Sequence, residues 1–110
     1  MAPRDEILSA DDVQARLAQR VGWTGNTAEI TKTFDVEYHA GVATIVDVAR
    51  AAIELEHHPD IDLRWDKLRF IITTHTAGDV VTELDFLLAD RIDTIAAGHG
   101  ATPADGTHQT

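Results

Sequence analysis

Cysteine is absent from this chain of 110 residues. That excludes disulfide staples, thiolate catalysis and cysteine-rich zinc sites, and it suits a reducing compartment. Basic residues are scarce: nine Lys and Arg stand against 19 Asp and Glu, a formal net charge of −10. Such a surface repels phosphate backbones and no basic stripe offsets it, so no nucleic-acid partner is expected. Long apolar runs are also missing. No stretch approaches the roughly 20 apolar residues that span a bilayer. Residues 1–10 mix both signs of charge and lack the continuous apolar segment of a secretory signal. The expectation is a soluble, cytoplasmic protein with no membrane partner.

What is present suffices for one core, since 44% of the residues are apolar and the length is that of a single compact domain. Ser9 followed three residues later by Asp12 has the form of a capping box, with Leu8 and Val13 placed as a hydrophobic staple. A helix over residues 10–21 puts Ala10, Val13, Leu17 and Val21 on one face, and Gly22 can end it. Ala28, Ile30, Lys32 and Phe34 then alternate with Thr27, Glu29, Thr31 and Thr33, a strand signal rich in β-branched residues. A second short extended piece is expected over residues 36–38.

From residue 40 to 56 the period becomes helical, with two apolar stripes: Val42, Val46, Ala49 and Ile53, and Ile45, Val48, Ala52 and Leu55. A helix apolar on two sides needs two surfaces to pack against, the sheet and either another helix or another subunit. Pro59 stops it. Residues 60–74 read as a hairpin whose second strand puts Leu68, Phe70 and Ile72 on one face and Thr73 and His75 on the other. Thr82 with Asp85 is a further capping-box pattern, followed by Leu84, Leu88, Ile92, Ile95 and Ala96 at helical spacing, with Gly98 as a natural C-terminal cap. The predicted domain is residues 1–97, and the polar tail 98–110 is expected to be disordered. The element order α-β-β-α-β-β-α describes an α+β fold, a four-stranded antiparallel sheet with helices packed on one face.

Three of the six histidines stand at predicted element ends: His57 and His58 close a helix beside Pro59, and His75 closes a strand. Element ends hold side chains firmly while leaving them open to a cleft, and imidazole is suited to proton exchange near neutral pH. Taken alone, a His-His-Pro is more often a solvated helix end than a site. A three-histidine zinc centre is the other chemistry available. Adjacent histidines on a helix end diverge, however, and no carboxylate is obviously arranged behind them, so no metal is expected. Asp85 is already explained by its capping box, and Trp23 and Trp65 read as core or rim aromatics.

Together these motifs resemble the pterin-4a-carbinolamine dehydratase family. The resemblance rests on Glu-His-His-Pro-Asp at 56–60, Trp65 six residues after Pro59, Thr-Thr-His at 73–75, Ala-Gly at 77–78 and Thr-Glu-Leu-Asp at 82–85. It covers roughly residues 8–97, including Gly22-Trp23, Tyr38 and Ile92-Asp93. Two departures stand out. Ile53 occupies the position four residues before His57 where the family often has an acid, and one extra residue separates His75 from Asp85, within Asp79-Val80-Val81.

The resemblance implies dehydration of a 4a-hydroxytetrahydropterin, with no metal or organic cofactor. His57 and His75 would form the acid/base pair, and His58 would bind and orient the pterin. Substrate contacts would come from Glu56, Pro59, Thr73, Thr74, Thr76 and Asp85. The resemblance also implies a pterin substrate as partner and a homodimer or homotetramer. Its alternative is a non-catalytic binding or assembly module that kept the fold, since relatives include a dimerisation cofactor of homeodomain transcription factors.

Overall fold

A computed structural model describes residues 6–104 of the chain. Ser9 caps the first helix, α1 (Ala10–Leu17), by accepting a hydrogen bond from the Asp12 N–H, and Val13 and Leu17 are its buried face. The helix is one turn shorter than the periodicity predicts. Val21 is 75% exposed, so the last turn has no apolar anchor. The chain instead turns through Gly22 at φ +83° and buries Trp23.

Strand β1 (Thr24–Gly25) and strand β2 (Ile30–Asp35) form a tight antiparallel pair. Gly25 has to be glycine there: a Cβ would lie 2.1 Å from the Glu29 carbonyl oxygen. The extended piece expected over residues 36–38 is not a strand. Glu37 accepts the Ala40 N–H and caps helix α2 (Tyr38–Leu55). A hairpin follows, β3 (Asp60–Arg64) and β4 (Lys67–Ile72), then a 3-10 turn (His75–Ala77), helix α3 (Glu83–Gly98) and strand β5 (Thr102–Pro103).

The sheet is antiparallel, in the order β1-β2-β4-β3, with β5 added to β2. Among the described residues it has five strands where four were expected: the piece at 36–38 is lost, Thr24–Gly25 pairs with β2, and the chain does not leave the fold at residue 98. Gly98 is still helical, Ala101 is buried, and Thr102 and Pro103 pair with Asp35 and Phe34. The rest of the expected disordered tail, residues 105–110, lies outside the described residues.

The α+β architecture follows from the alternation. Ile30, Lys32 and Phe34 of β2 and Leu68, Phe70 and Ile72 of β4 are all buried beneath the helices. The opposite register, Thr31, Thr33, Asp35, Lys67 and Arg69, faces outward at least in part. The one charged member of the inner set, Lys32, is compensated: its Nζ lies 2.7 Å from Asp93 Oδ1 and 4.7 Å from the centre of the Phe34 ring. Trp23 Nε1 donates to the same carboxylate. Val48 and Ala52 of α2 are buried and Ile45 and Leu55 half-buried, so this stripe packs inward. Val42, Val46 and Ile53 remain 42%, 48% and 67% exposed.

Candidate functional site

The site lies where the C-terminal end of α2, the end of β4 and the N-terminal end of α3 meet. Helix α2 ends on Glu56 in the left-handed conformation, φ 55° and ψ 41°. The resulting reversal carries the His57 backbone N–H back to the Ala52 carbonyl at 3.0 Å and folds the His57 ring inward, leaving it 7% exposed. There His57 Nε2 meets Asp85 Oδ1 at 2.5 Å.

Asp85 is fully buried, and both of its oxygens are engaged. Oδ2 receives the Thr82 backbone N–H at 2.8 Å and the Thr74 hydroxyl at 2.9 Å. The Thr74 hydroxyl has one hydrogen and gives it to Asp85. The Thr74–Thr82 contact at 2.8 Å must therefore be donated by Thr82. Thr82 Oγ1 in turn accepts the Leu84 N–H as the helix cap. This closed chain leaves Oδ1 to accept the hydrogen on His57 Nε2, so in the neutral ring Nδ1 carries the lone pair. A carboxylate fixing one imidazole nitrogen sets the tautomer and the direction of the other.

His75 sits just beyond β4 in the 3-10 turn and not at a strand end. It is exposed, and its Nδ1 lies 2.6 Å from Asp79 Oδ1. His58 is exposed as well. Of the other residues singled out by the sequence, Glu56 and Thr76 are exposed and Pro59 is half-buried. Thr73 is half-buried and gives its hydroxyl to the Ala28 carbonyl at 2.6 Å. Thr74 and Asp85 are brought together beneath His57, so their side chains support an imidazole. Trp23 is core, whereas Trp65 is 87% exposed at the β3–β4 turn.

Sequence reasoning missed the His57–Asp85 pair and the His75–Asp79 pair. The second was detectable, because Asp79 follows His75 by four residues. The first spans 28 residues and has no local signal.

The α+β scaffold thus sets one imidazole, His57, against a buried carboxylate and leaves His58 and His75 exposed. A sequence model described as pterin 4 alpha carbinolamine dehydratase matches residues 6–95. The chain belongs to that family. It is 40% identical over 97 residues to a protein of Streptomyces coelicolor, covering 87% of this chain and 96% of the relative. It is 44% identical over 89 residues to one of a Roseiflexus species, covering 80% and 95%. Both bear the provisional name pterin-4-alpha-carbinolamine dehydratase.

Among solved structures, the fold is similar to a transcriptional coactivator/pterin dehydratase from Brucella melitensis, with TM-score 0.77 and 24% identity over 83% of this chain and 99% of that one. It is also similar, at TM-score 0.54 and 22% identity over 67% and 86%, to a pterin dehydratase-like protein identified as a RuBisCO assembly factor in the alpha-carboxysome.

Proposed function

We propose that this protein catalyses the dehydration of a 4a-hydroxytetrahydropterin, giving a quinonoid dihydropterin and water, and that it works in the cytoplasm. The carrying observation is the bracing of His57 by Asp85 in a chain that keeps the family's histidine order. The reaction breaks the C4a–O bond and the N5–H bond and forms C4a=N5. One proton goes to the leaving hydroxyl, one leaves N5, and the net proton count does not change.

His57, with Asp85 behind Nε2, takes the N5 proton at Nδ1. Asp85 then stabilises the imidazolium that forms. His75, open to solvent, delivers a proton to the hydroxyl and reloads from water. His58, beside His57 after the same helix, orients the ring, and Glu56 and Thr76, both exposed, contact the pterin edge in this reading. The test is turnover of a 4a-carbinolamine generated in situ, followed by absorbance in buffer without added metal. Acceleration over the buffer reaction is expected. Rates equal to buffer at saturating enzyme would remove the catalytic reading.

The competing reading is a binding or assembly module. Its support is the outer stripe of α2, apolar and uncovered in the single chain, together with a solved structure of similar fold identified as an assembly factor. Absence of turnover together with binding of a partner through that stripe would favour it.

A further inference from the structure

We infer that Asp79 is a positioning residue for His75, and that the ordered turn between His75 and Val80 is what places it there. The inference rests on the proposed dehydratase reading for the role of His75, but the contact itself does not depend on it.

The turn after β4 is wound back on Thr74. The Thr74 carbonyl accepts both the Ala77 N–H at 3.2 Å and the Asp79 N–H at 3.1 Å, and the Gly78 N–H returns to the His75 carbonyl at 3.0 Å. Two successive left-handed residues complete it, Gly78 at φ 96° and Asp79 at φ 61°. The chain then rejoins the fold firmly: Thr74 N–H meets the Val80 carbonyl at 3.0 Å, and Val81 is fully buried. The connection is therefore an ordered double turn, with Asp79 facing back to His75.

The identity of that residue is informative. A left-handed backbone favours glycine, and Asp or Asn is the next best tolerated. Glycine would fit without strain there and would leave His75 unheld. Aspartate instead accepts the His75 Nδ1–H at 2.6 Å. In neutral imidazole this selects the Nδ1–H tautomer and frees the Nε2 lone pair. In imidazolium it stabilises the charge and leaves Nε2–H to be delivered. Both halves of the pair are largely exposed, at 68% and 71%, so its contribution to folding is small. Its effect should appear in the chemistry of His75.

Asp79→Gly and Asp79→Asn in the full chain separate these roles. Glycine relieves the backbone and removes the acceptor, while asparagine keeps an acceptor oxygen and the tolerated conformation. In Asp79→Gly, kcat should fall about tenfold with KM within about twofold and with no loss of thermal stability. The 15N shifts of His75 should move toward the Nε2–H tautomer. Asp79→Asn should keep the wild-type tautomer and recover most of kcat. Unchanged His75 15N shifts in Asp79→Gly would overturn the inference, even if His75→Ala were inactive. Wild-type kcat in Asp79→Gly alongside an impaired His75→Ala would overturn it too. Full activity in His75→Ala with the tautomer still responding to Asp79→Gly would instead sink the catalytic reading of His75 and leave the contact standing.

Discussion

Nε2 of His57 is held by Asp85, which in the proposed mechanism leaves Nδ1 to the substrate, and this division predicts distinct kinetic signatures for the three histidines. His57→Ala and His75→Ala should each lower kcat by about 10²–10⁴-fold, because in the proposed mechanism each removes a group that moves a proton in the transition state. His58→Ala should mainly raise KM, as expected for loss of uniform binding. The double variant His57→Ala with His75→Ala should be less impaired than the product of the single effects, since groups acting in one step are not additive. Steady-state rates across substrate concentration decide this, and a raised KM with unchanged kcat in His57→Ala would refute the division. Asp85 predicts a second contrast. Replacing it by Ala strands three donors, the His57 Nε2–H, the Thr74 hydroxyl and the Thr82 N–H. The cost is about 3 kcal/mol, a fall in melting temperature on the order of 10–20 °C. Asp85→Asn keeps an acceptor for the cap but turns a donor toward His57 Nε2. It should retain most of the stability while losing kcat, because the imidazole is driven to the opposite tautomer. A calorimetric scan beside a rate assay separates the two, and equal melting temperatures for Asp85→Ala and wild type would refute the network.

At the scale of elements, Glu37 governs where α2 begins. Hydrogen bonds from the His39 side chain first, and then from the His39 and Ala40 N–H groups, hold its carboxyl down from an ordinary 4.5 to about 2. A depressed acid stabilises the fold above its unfolded value and loses that contribution as pH falls through its folded value. Glu37→Gln should therefore melt lower than wild type at neutral pH, with the gap closing between about pH 4.5 and pH 2. A gap that stays constant over that range would show that charge is irrelevant to the cap. This same residue marks the limit of reading elements from pattern. Val36 and Tyr38 look like strand residues by propensity, and only the side chain between them, folded back as a cap, makes Tyr38 helical. Strand β4 and helices α2 and α3 were legible because one buried face repeats at a fixed period along each. The end of α1 was not, because Val21 continues the period but has nothing to pack on. The site divides in the same way. The histidines stand out in the sequence by their place beside Pro59 and Thr74. Asp85 looked fully explained by its capping box, which uses Oδ2 and says nothing of Oδ1.

The whole molecule must reconcile a charge of −10 with an apolar stripe left open on α2. Tyr38, Val42, Val46 and Ile53 are 51%, 42%, 48% and 67% exposed on that helix, where Val48 and Ala52 already satisfy the sheet. Burying such a stripe against a second copy gains on the order of 25 cal/mol per Å² of apolar surface, and a homodimer or homotetramer is the assembly expected. Like charge opposes it: each copy adds its negative field to the next, and at low ionic strength the Debye length of about 30 Å spans a good part of the molecule. Association should therefore strengthen with salt, because screening weakens the repulsion while apolar burial persists. Light scattering at micromolar protein should give a multiple of the chain mass, with the equilibrium shifting further to the oligomer as salt is raised to about 0.5 M, where the Debye length falls toward a few ångströms. Val46→Asp places a charge in the middle of the stripe. It should give a monomer at every salt concentration with a melting temperature that no longer depends on protein concentration, since only an associating species is stabilised by mass action. A wild-type chain that stays monomeric from low to high salt would leave the stripe to a different partner.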